Sequence, residues 1–158
     1  LENVRIALQR KLGTSFHFWK SEKTLKKLDG KILELLESVD LSAFASDITM
    51  ELPYGRKRAL EIATTLAMEP DLMLLDEPTA GMGHENVELI SNLIKKVSAN
   101  RTILMVEHNM SVVANISDTI TVLSHGGIIA SGSYEQVSKN PLVMEAYMGA
   151  SQSELEEM

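Results

Sequence analysis

The sequence predicts an α/β protein in which a helical N-terminal part precedes a mostly parallel sheet. In the first third, apolar residues recur at spacings of three and four, as on one face of a helix. Further along, short apolar runs alternate with helical patterns, which is typical of βαβ units. The 158 residues are 44% apolar and 23% charged, so the chain can bury a core and is not compositionally disordered.

The first third and the segment after it contain three helical patterns. A short apolar stripe from Val4 to Leu12 predicts a helix that ends at Gly13, because glycine suits a helix C-terminus. A second stripe, with Ser21 as its N-cap, predicts a longer helix. Its apolar positions are Leu25, Leu28, Ile32, Leu35, Leu36 and Val39. A third helix is expected directly after Leu52-Pro53-Tyr54-Gly55, and its buried positions are Ala59, Ile62, Ala63 and Leu66.

The remaining segments predict strands and two closing helices. Three apolar runs, at residues 72–75, 102–106 and 119–123, predict strands whose two faces are both covered by helices. The sequence Ser124-His125-Gly126-Gly127 predicts a turn into an antiparallel strand at residues 128–130. Short helices are expected at residues 133–137 and 141–147, and the acidic tail after Gly149 is expected to fray.

Composition and charge exclude several classes of function. The chain has no cysteine, which rules out disulfides, thiolate zinc sites and thiol nucleophiles. Its net charge of −7 argues against a general nucleic-acid binder, which needs a basic surface. Its apolar runs are far shorter than the roughly 20 residues of a membrane helix, so we expect no direct insertion into a membrane.

Polar residues end two of the predicted strands. Asp76 and Glu77 end the first run, and His108 follows the second. Ligands of an open parallel sheet bind beyond the carboxyl ends of its strands. Neighbouring side chains on an extended backbone point in opposite directions, and Pro78 favours an extended Glu77. One carboxylate could therefore hold a hydrated Mg²⁺ while the other faces a nearby water. The alternative is a solvated strand end with a solvated loop histidine.

The third helix begins with three basic residues, Arg56, Lys57 and Arg58. Cations near a helix N-terminus oppose the helix dipole. Either an anion docks at this end of the helix, or solvent screens three exposed side chains. No phosphate-binding P-loop accompanies them, because the only Gly-Lys pair, Gly30-Lys31, is followed by Ile32. The sequence thus contains a candidate metal-and-water site without a cradle for phosphates.

The order of Leu52–Gly55, Leu74–Thr79 and Val106–His108 resembles the ATP-binding subunits of ABC transporters. These segments are similar to the family's signature motif, its Walker B motif with the catalytic glutamate, and its switch histidine. Residues 80–83 resemble the D-loop. The resemblance implies a P-loop NTPase-like half-core without its P-loop. It divides the chain into a helical signature subdomain at residues 1–70, the C-terminal part of a RecA-like ATPase core at 71–150, and a flexible tail at 151–158.

The resemblance also implies roles for individual residues. Asp76 would bind Mg²⁺ through water, Glu77 would polarise the attacking water, and His108 would contact the γ-phosphate of ATP. Gly81 and Met82 of the D-loop would lie across a dimer interface. Five residues would bind the ATP of the partner subunit: Leu52, Pro53, Tyr54, Gly55 and Arg56.

Three positions depart from the family pattern. Pro53 stands where the wider family has a serine, and it lacks both the hydroxyl and a backbone N–H. Arg56 replaces a frequent glutamine or glutamate, and Gly83 replaces a frequent asparagine or aspartate. The family's P-loop, adenine-stacking aromatic and glutamine loop would all precede Leu1. The chain is therefore expected to be the C-terminal portion of a longer subunit and to be inactive alone.

Several segments, among them Pro53–Gly55, Thr79–Met82 and Glu145–Gly149, are similar to branched-chain amino acid uptake ATPases. This implies that Mg-ATP hydrolysis drives import through membrane permeases. The subunit would form a homo- or heterodimer, peripheral to the cytoplasmic side of the cell membrane. Lipopolysaccharide-export ATPases share much of the tail and are an alternative. Two others are a non-catalytic module that offers its signature helix in trans, and a relative acting on ribosomes or DNA, which the acidic balance disfavours.

Overall fold

The structure is a computed structural model that describes residues 1–13 and 28–147. The chain divides into two compact units, Leu1–Glu107 and His108–Met158. Among the described residues, no helix is both long and apolar enough to span a bilayer.

In its described residues, the first unit contains four α-helices: α1 (Glu2–Lys11), α2 (Asp29–Ser38), α3 (Tyr54–Leu66) and α4 (His84–Ser98). Short 3₁₀ segments lie at Ser42–Phe44 and Thr49–Glu51. Helix α1 ends at Lys11, two residues before the predicted end at Gly13, whose φ of 65° is left-handed and therefore suits glycine. The predicted N-cap Ser21 lies outside the described residues, and the described helix α2 begins at Asp29.

The core of this unit forms where the helices pack on one another. Helices α1, α2 and α3 contact each other, and α3 also contacts α4. The predicted inner face of α3 is confirmed, because all four of its apolar positions are buried. Burying a side chain as large as that of Ile62 or Leu66 contributes about 1.5–3 kcal/mol, so this packing holds α3 firmly. The buried residues of the four helices include Val4, Leu8, Ile32, Leu36, Ala59, Ile62, Ala63, Leu66, Ile90, Leu93, Ile94 and Val97.

Two parallel strands, β1 (Leu72–Asp76) and β2 (Thr102–Val106), complete the first unit. Of the three strands predicted from apolar runs, the first two and their parallel pairing are confirmed here. The expectation that both faces are covered is wrong for the described part of the chain. Met73 is buried, whereas Leu74 is 70% exposed and Leu104 60% exposed. Leu72 and Val106 are exposed as well. The strands are apolar on both faces, but the described helices cover only one of them.

The second unit contains helix α5 (Met110–Ile116), the antiparallel strands β3 (Ile120–Ser124) and β4 (Gly127–Gly132), and helix α6 (Tyr134–Ser138). Residues 141–147 are helical too. The predicted turn between the strands is confirmed. His125 and Gly126 both have positive φ, as in the turns that best connect twisted antiparallel strands. Ser133 and Gln136 form a capping box that begins α6.

Candidate nucleotide-binding site

The carboxyl ends of β1 and β2 lie at the same edge of the parallel sheet. Asp76 pairs in register with Val106. The N–H of Glu77 donates to the carbonyl oxygen of Val106 at 2.9 Å, which extends the ladder by one residue. The predicted acidic pair therefore lies beside the end of β2, and both Asp76 and Glu77 are exposed. His108 is the next residue after Glu107 and belongs to the second unit.

The backbone of Glu77 differs from the prediction. Its φ is 40°, in the left-handed region, whereas an extended conformation was expected before Pro78. The Val106 bond holds its N–H, and its carbonyl accepts from the N–H of Ala80 at 3.1 Å, so the chain turns immediately after β1. A non-glycine residue in this region costs about 1–3 kcal/mol, and such strain is typical of functional sites. Different roles for Asp76 and Glu77 thus rest on this turn and not on strand alternation.

Glu107 and Thr79 connect the two strand ends, and neither was singled out from the sequence. Thr79 is only 4% exposed. Its N–H donates to Oε1 of Glu107 at 3.1 Å, and its hydroxyl donates to the same oxygen. The turn after β1 is thereby tied to the residue after β2. The sequence did contain a signal for Glu107. This residue directly follows an apolar strand, just as Asp76 ends another.

Thr79→Val is expected to lower the free energy of unfolding by about 1 kcal/mol, because the carboxylate of Glu107 loses the hydroxyl donor in a buried place. The midpoint of urea unfolding measures this change. Thr79→Ser keeps the hydroxyl and serves as the control. Equal destabilisation by valine and serine would show that the hydroxyl contributes nothing.

The predicted signature segment straddles the start of α3 instead of preceding it. The helix begins at Tyr54, and Pro53 is its N-cap. Leu52 and Gly55 are buried, whereas the Tyr54 side chain is 60% exposed. Pro53 cannot cap the helix with a side-chain hydrogen bond, but its carbonyl accepts from the N–H groups of Arg56 and Lys57.

Two basic residues of α3 make contacts inside the chain. Neither of the two interpretations of the sequence, a docked anion or screening by solvent, predicted these contacts. The guanidinium of Arg56 lies over the ring of Phe44, 5.1 Å from its centroid, and donates to the carbonyl of Asp40 at 3.0 Å. Arg58 pairs with Glu61 at 2.6 Å and donates to the carbonyl of Asp76 at 3.1 Å. Apart from the pair with Glu61 on the same helix, these contacts join α3 to residues distant in sequence, so periodicity could not reveal them.

The first turns of α3 and α4 approach closely at Gly55. A Cβ atom on Gly55 would lie 2.9 Å from Cγ of Asn86 and closer still to its Oδ1. Asn86 belongs to the first turn of α4, and its N–H donates to the carbonyl of Gly83 at 3.0 Å. Gly81 and Met82 directly precede that turn. The structure therefore brings the start of the predicted signature helix against the helix that follows the predicted D-loop.

The acidic edge, formed by Asp76 and Glu77 at the end of β1, suits a magnesium ion that also binds the phosphates of a nucleotide. Within residues 1–13 and 28–147, no three metal-ligating side chains cluster together. Mg²⁺ does not need such a cage, because it usually keeps several waters and binds one or two carboxylates together with substrate phosphates. The exposed carboxylate of Asp76, at the end of a strand, suits that mode of binding.

Comparisons with known proteins identify the family of the chain. Residues 2–80 match the family model described as ABC transporter, and residues 128–152 match the model described as branched-chain amino acid ATP-binding cassette transporter. The second match covers the C-terminal tail, in which uptake ATPases and lipopolysaccharide-export ATPases are similar. It therefore favours the uptake branch.

Two relatives and one solved structure show the same likeness. The chain is 36% identical over 159 residues to the high-affinity branched-chain amino acid transport ATP-binding protein BraF of Pseudomonas aeruginosa, covering 94% of this chain and 61% of BraF. It is 33% identical over 156 residues to LivG of Escherichia coli K12, a protein of the same description, with the same coverages. The ADP conformation of MJ1267, an ATP-binding cassette of an ABC transporter, matches with a TM-score of 0.74 and 27% identity, over 93% of this chain and 62% of that one.

The chain thus spans about three fifths of the length of these relatives. The ABC transporter model covers 79 of its 158 residues, and BraF and LivG each match 94% of the chain. The chain belongs to the ABC transporter ATP-binding family, in the branch of the branched-chain amino acid transport ATPases.

Proposed function

We propose that this chain supplies the water-activating edge of an ATP site and the signature segment that binds the ATP of a second subunit. The complete subunit hydrolyses Mg-ATP and drives the import of branched-chain amino acids. The observation that carries this proposal is the meeting of Asp76, Glu77 and Glu107 at one edge of a parallel sheet, in a chain of this family.

The two carboxylates of the acidic edge and the following histidine have different roles. Asp76 holds Mg²⁺ through water, Glu77 orients and polarises the attacking water, and His108 contacts the γ-phosphate. Bound Mg²⁺ offsets the negative charge of the phosphates, and catalysis of phosphoryl transfer consists mainly of positioning and electrostatic stabilisation. The Thr79–Glu107 tether supports this role, because it fixes the turn that carries Glu77 against the end of β2.

The signature segment binds the ATP of the partner subunit. Its five residues are Leu52, Pro53, Tyr54, Gly55 and Arg56. The exposed Tyr54 ring is available for this contact. Arg56 reaches a nucleotide with its guanidinium only by leaving Phe44 and the Asp40 carbonyl, so binding there competes with contacts inside the chain. Gly81 and Met82 lie across the dimer interface.

The partners are a second ATP-binding subunit, identical or related, and membrane permease subunits. The descriptions of BraF and LivG as transport ATP-binding proteins support this assignment. The subunit acts as a peripheral protein on the cytoplasmic side of the membrane. No nucleic acid is involved, in keeping with the net charge of −7.

The phosphate cradle comes from polypeptide that these 158 residues do not contain, so the chain alone does not hydrolyse ATP. The exposed apolar face of β1 and β2 supports this view. Its four side chains, Leu72, Leu74, Leu104 and Val106, are each more than half exposed. A contiguous apolar patch of this kind marks an interaction surface, and the matched relatives carry about two fifths of their length beyond the match.

A fusion tests the proposal. The part of BraF that precedes its match to this chain is joined to Leu1, and ATP hydrolysis is measured by phosphate release with and without Mg²⁺. We expect Mg²⁺-dependent turnover by the fusion and none by the 158-residue chain, which also binds Mg-ATP only weakly in equilibrium dialysis. Tight binding by the chain alone would contradict the missing cradle. A well-folded fusion that binds Mg-ATP without hydrolysing it would favour the non-catalytic module.

A further inference from the structure

The peptide unit that joins Asp76 to Glu77 is held at both of its polar ends. Its N–H, from Glu77, donates to the carbonyl of Val106 at 2.9 Å. Its carbonyl, from Asp76, accepts from Nη2 of Arg58 at 3.1 Å. The first bond comes from the neighbouring strand, whereas the second comes from helix α3. One peptide between the two proposed functional carboxylates is therefore fixed by two separate elements.

Arg58 is itself oriented for this contact. Its Nη1 pairs with Oε2 of Glu61 at 2.6 Å, one turn further along α3, and its side chain is only 28% exposed. A guanidinium is planar and rigid, so a partner on one nitrogen fixes the direction of the other. The neighbouring residues Ala59 and Ile62 are buried and anchor α3 in the helical core. The donor to Asp76 thus stands on a well-supported helix.

This support matters because Glu77 is strained. Its left-handed φ of 40° persists only if the surroundings hold it. Rotation of Glu77 toward an ordinary φ would turn the peptide unit that precedes it, and both hydrogen bonds of that unit would be lost. Removing one of the two bonds therefore lowers the barrier to relaxation of Glu77.

We propose that Arg58 is a positioning residue that holds Glu77 in its strained conformation and links it to the signature segment. That segment begins the same helix one turn before Arg58. A shift of α3 on contact with the partner subunit's ATP acts through Arg58 on the Asp76–Glu77 peptide. The catalytic part of this proposal rests on the function proposed above for Glu77, whereas the positioning part can be tested without nucleotide.

Amide hydrogen exchange of the 158-residue chain tests the positioning directly. In Arg58→Met, the amide of Glu77 is expected to exchange about tenfold faster, as follows from losing one charge-assisted hydrogen bond. The amide of Thr102, which donates to Asp71 at the opposite end of the same sheet, is the internal reference and keeps its rate. Lys57→Met removes one charge from the adjacent position and is the matched control, with neither amide affected.

Two exchange results would overturn the proposal. An unchanged Glu77 amide would show that Arg58 does not hold the peptide. Equal acceleration of the Glu77 and Thr102 amides would show that Arg58 only stabilises the sheet as a whole. Arg58→Lys retains a cation and one donor, so the Glu77 amide is expected to lie between the native and methionine rates. This variant keeps the test valid if the methionine variant fails to fold.

Turnover by the ATP-hydrolysing fusion tests the link to catalysis. Arg58→Met is expected to lower kcat about tenfold while the KM for ATP stays within about twofold, because the bond orients Glu77 and does not bind ATP. Added to Glu77→Gln, it is expected to cause no further loss, whereas an additive loss would contradict action through Glu77. A fusion without turnover would count against the proposed function, and the Glu77 amide would still decide the role of Arg58.

Discussion

Replacing Glu77 with glutamine in the ATP-hydrolysing fusion is expected to lower kcat about 100- to 1,000-fold, with little change in the KM for ATP. A positioned general base contributes a factor of about this size, and the amide of glutamine cannot accept the proton of the attacking water. Glutamine keeps the size of the side chain, so the turn from Glu77 to Ala80 is retained. Phosphate release under saturating Mg-ATP measures the effect.

Glu85→Gln is the matched control, because Glu85 is an exposed carboxylate in the first turn of α4. Its turnover is expected to stay within about twofold of the unsubstituted fusion. Undiminished turnover by Glu77→Gln would show that the Glu77 carboxylate takes no part in the reaction, even though the backbone at that position is strained. Equal losses in both variants would point to a general effect of removing a negative charge.

Gly55→Ala is expected to destabilise the chain by about 2 kcal/mol, although alanine normally stabilises a helix relative to glycine by about 1 kcal/mol. The sign is reversed because the new methyl group would lie 2.9 Å from Cγ of Asn86. Relief requires the Asn86 side chain to leave its present position or the first turns of α3 and α4 to separate. The same change is expected to weaken ATP-dependent dimerisation of the fusion, since the first turn of α3 belongs to the signature segment and that of α4 follows Gly81 and Met82, all proposed to face the partner.

Gly30→Ala provides the control for helix propensity. Gly30 lies in the first turn of α2, and a Cβ atom there meets nothing within 4 Å. This variant is expected to unfold at a higher urea concentration than the native chain, whereas Gly55→Ala unfolds at a lower one. Asn86→Ala removes Cγ and Oδ1 and is expected to recover part of the stability of Gly55→Ala. Destabilisation that is independent of Asn86 would contradict the proposed contact.

The sequence was sufficient for the features that local pattern determines. The inner face of α3 follows from the spacing of its apolar residues, and β1 and β2 follow from short apolar runs separated by a helix. Parallel pairing then brings Asp76 beside the end of β2 without further information. Burial of both strand faces was wrong for the described residues, because an apolar run does not reveal which polypeptide covers each face.

Tertiary contacts decided what the sequence could not predict. The residue before a proline favours an extended backbone, yet Glu77 is left-handed because Val106, in another strand, fixes its N–H. Arg58 was one of three similar basic residues in the sequence, and only its contact with the Asp76 carbonyl distinguishes it. Such contacts join positions far apart in the chain, where neither propensity nor periodicity carries a signal.

Paramagnetic broadening by Mn²⁺-ATP bound to the fusion tests most directly whether the carboxyl edge of β1 faces the nucleotide. Mn²⁺ suits the same oxygen ligands as Mg²⁺ and broadens the amide signals of nearby residues. We expect the amides of Asp76 and Glu77 to broaden most and the effect to fall steadily toward Leu72, about 13 Å away along the strand. Uniform broadening along β1, or broadening strongest at Leu72, would contradict a nucleotide site at this edge.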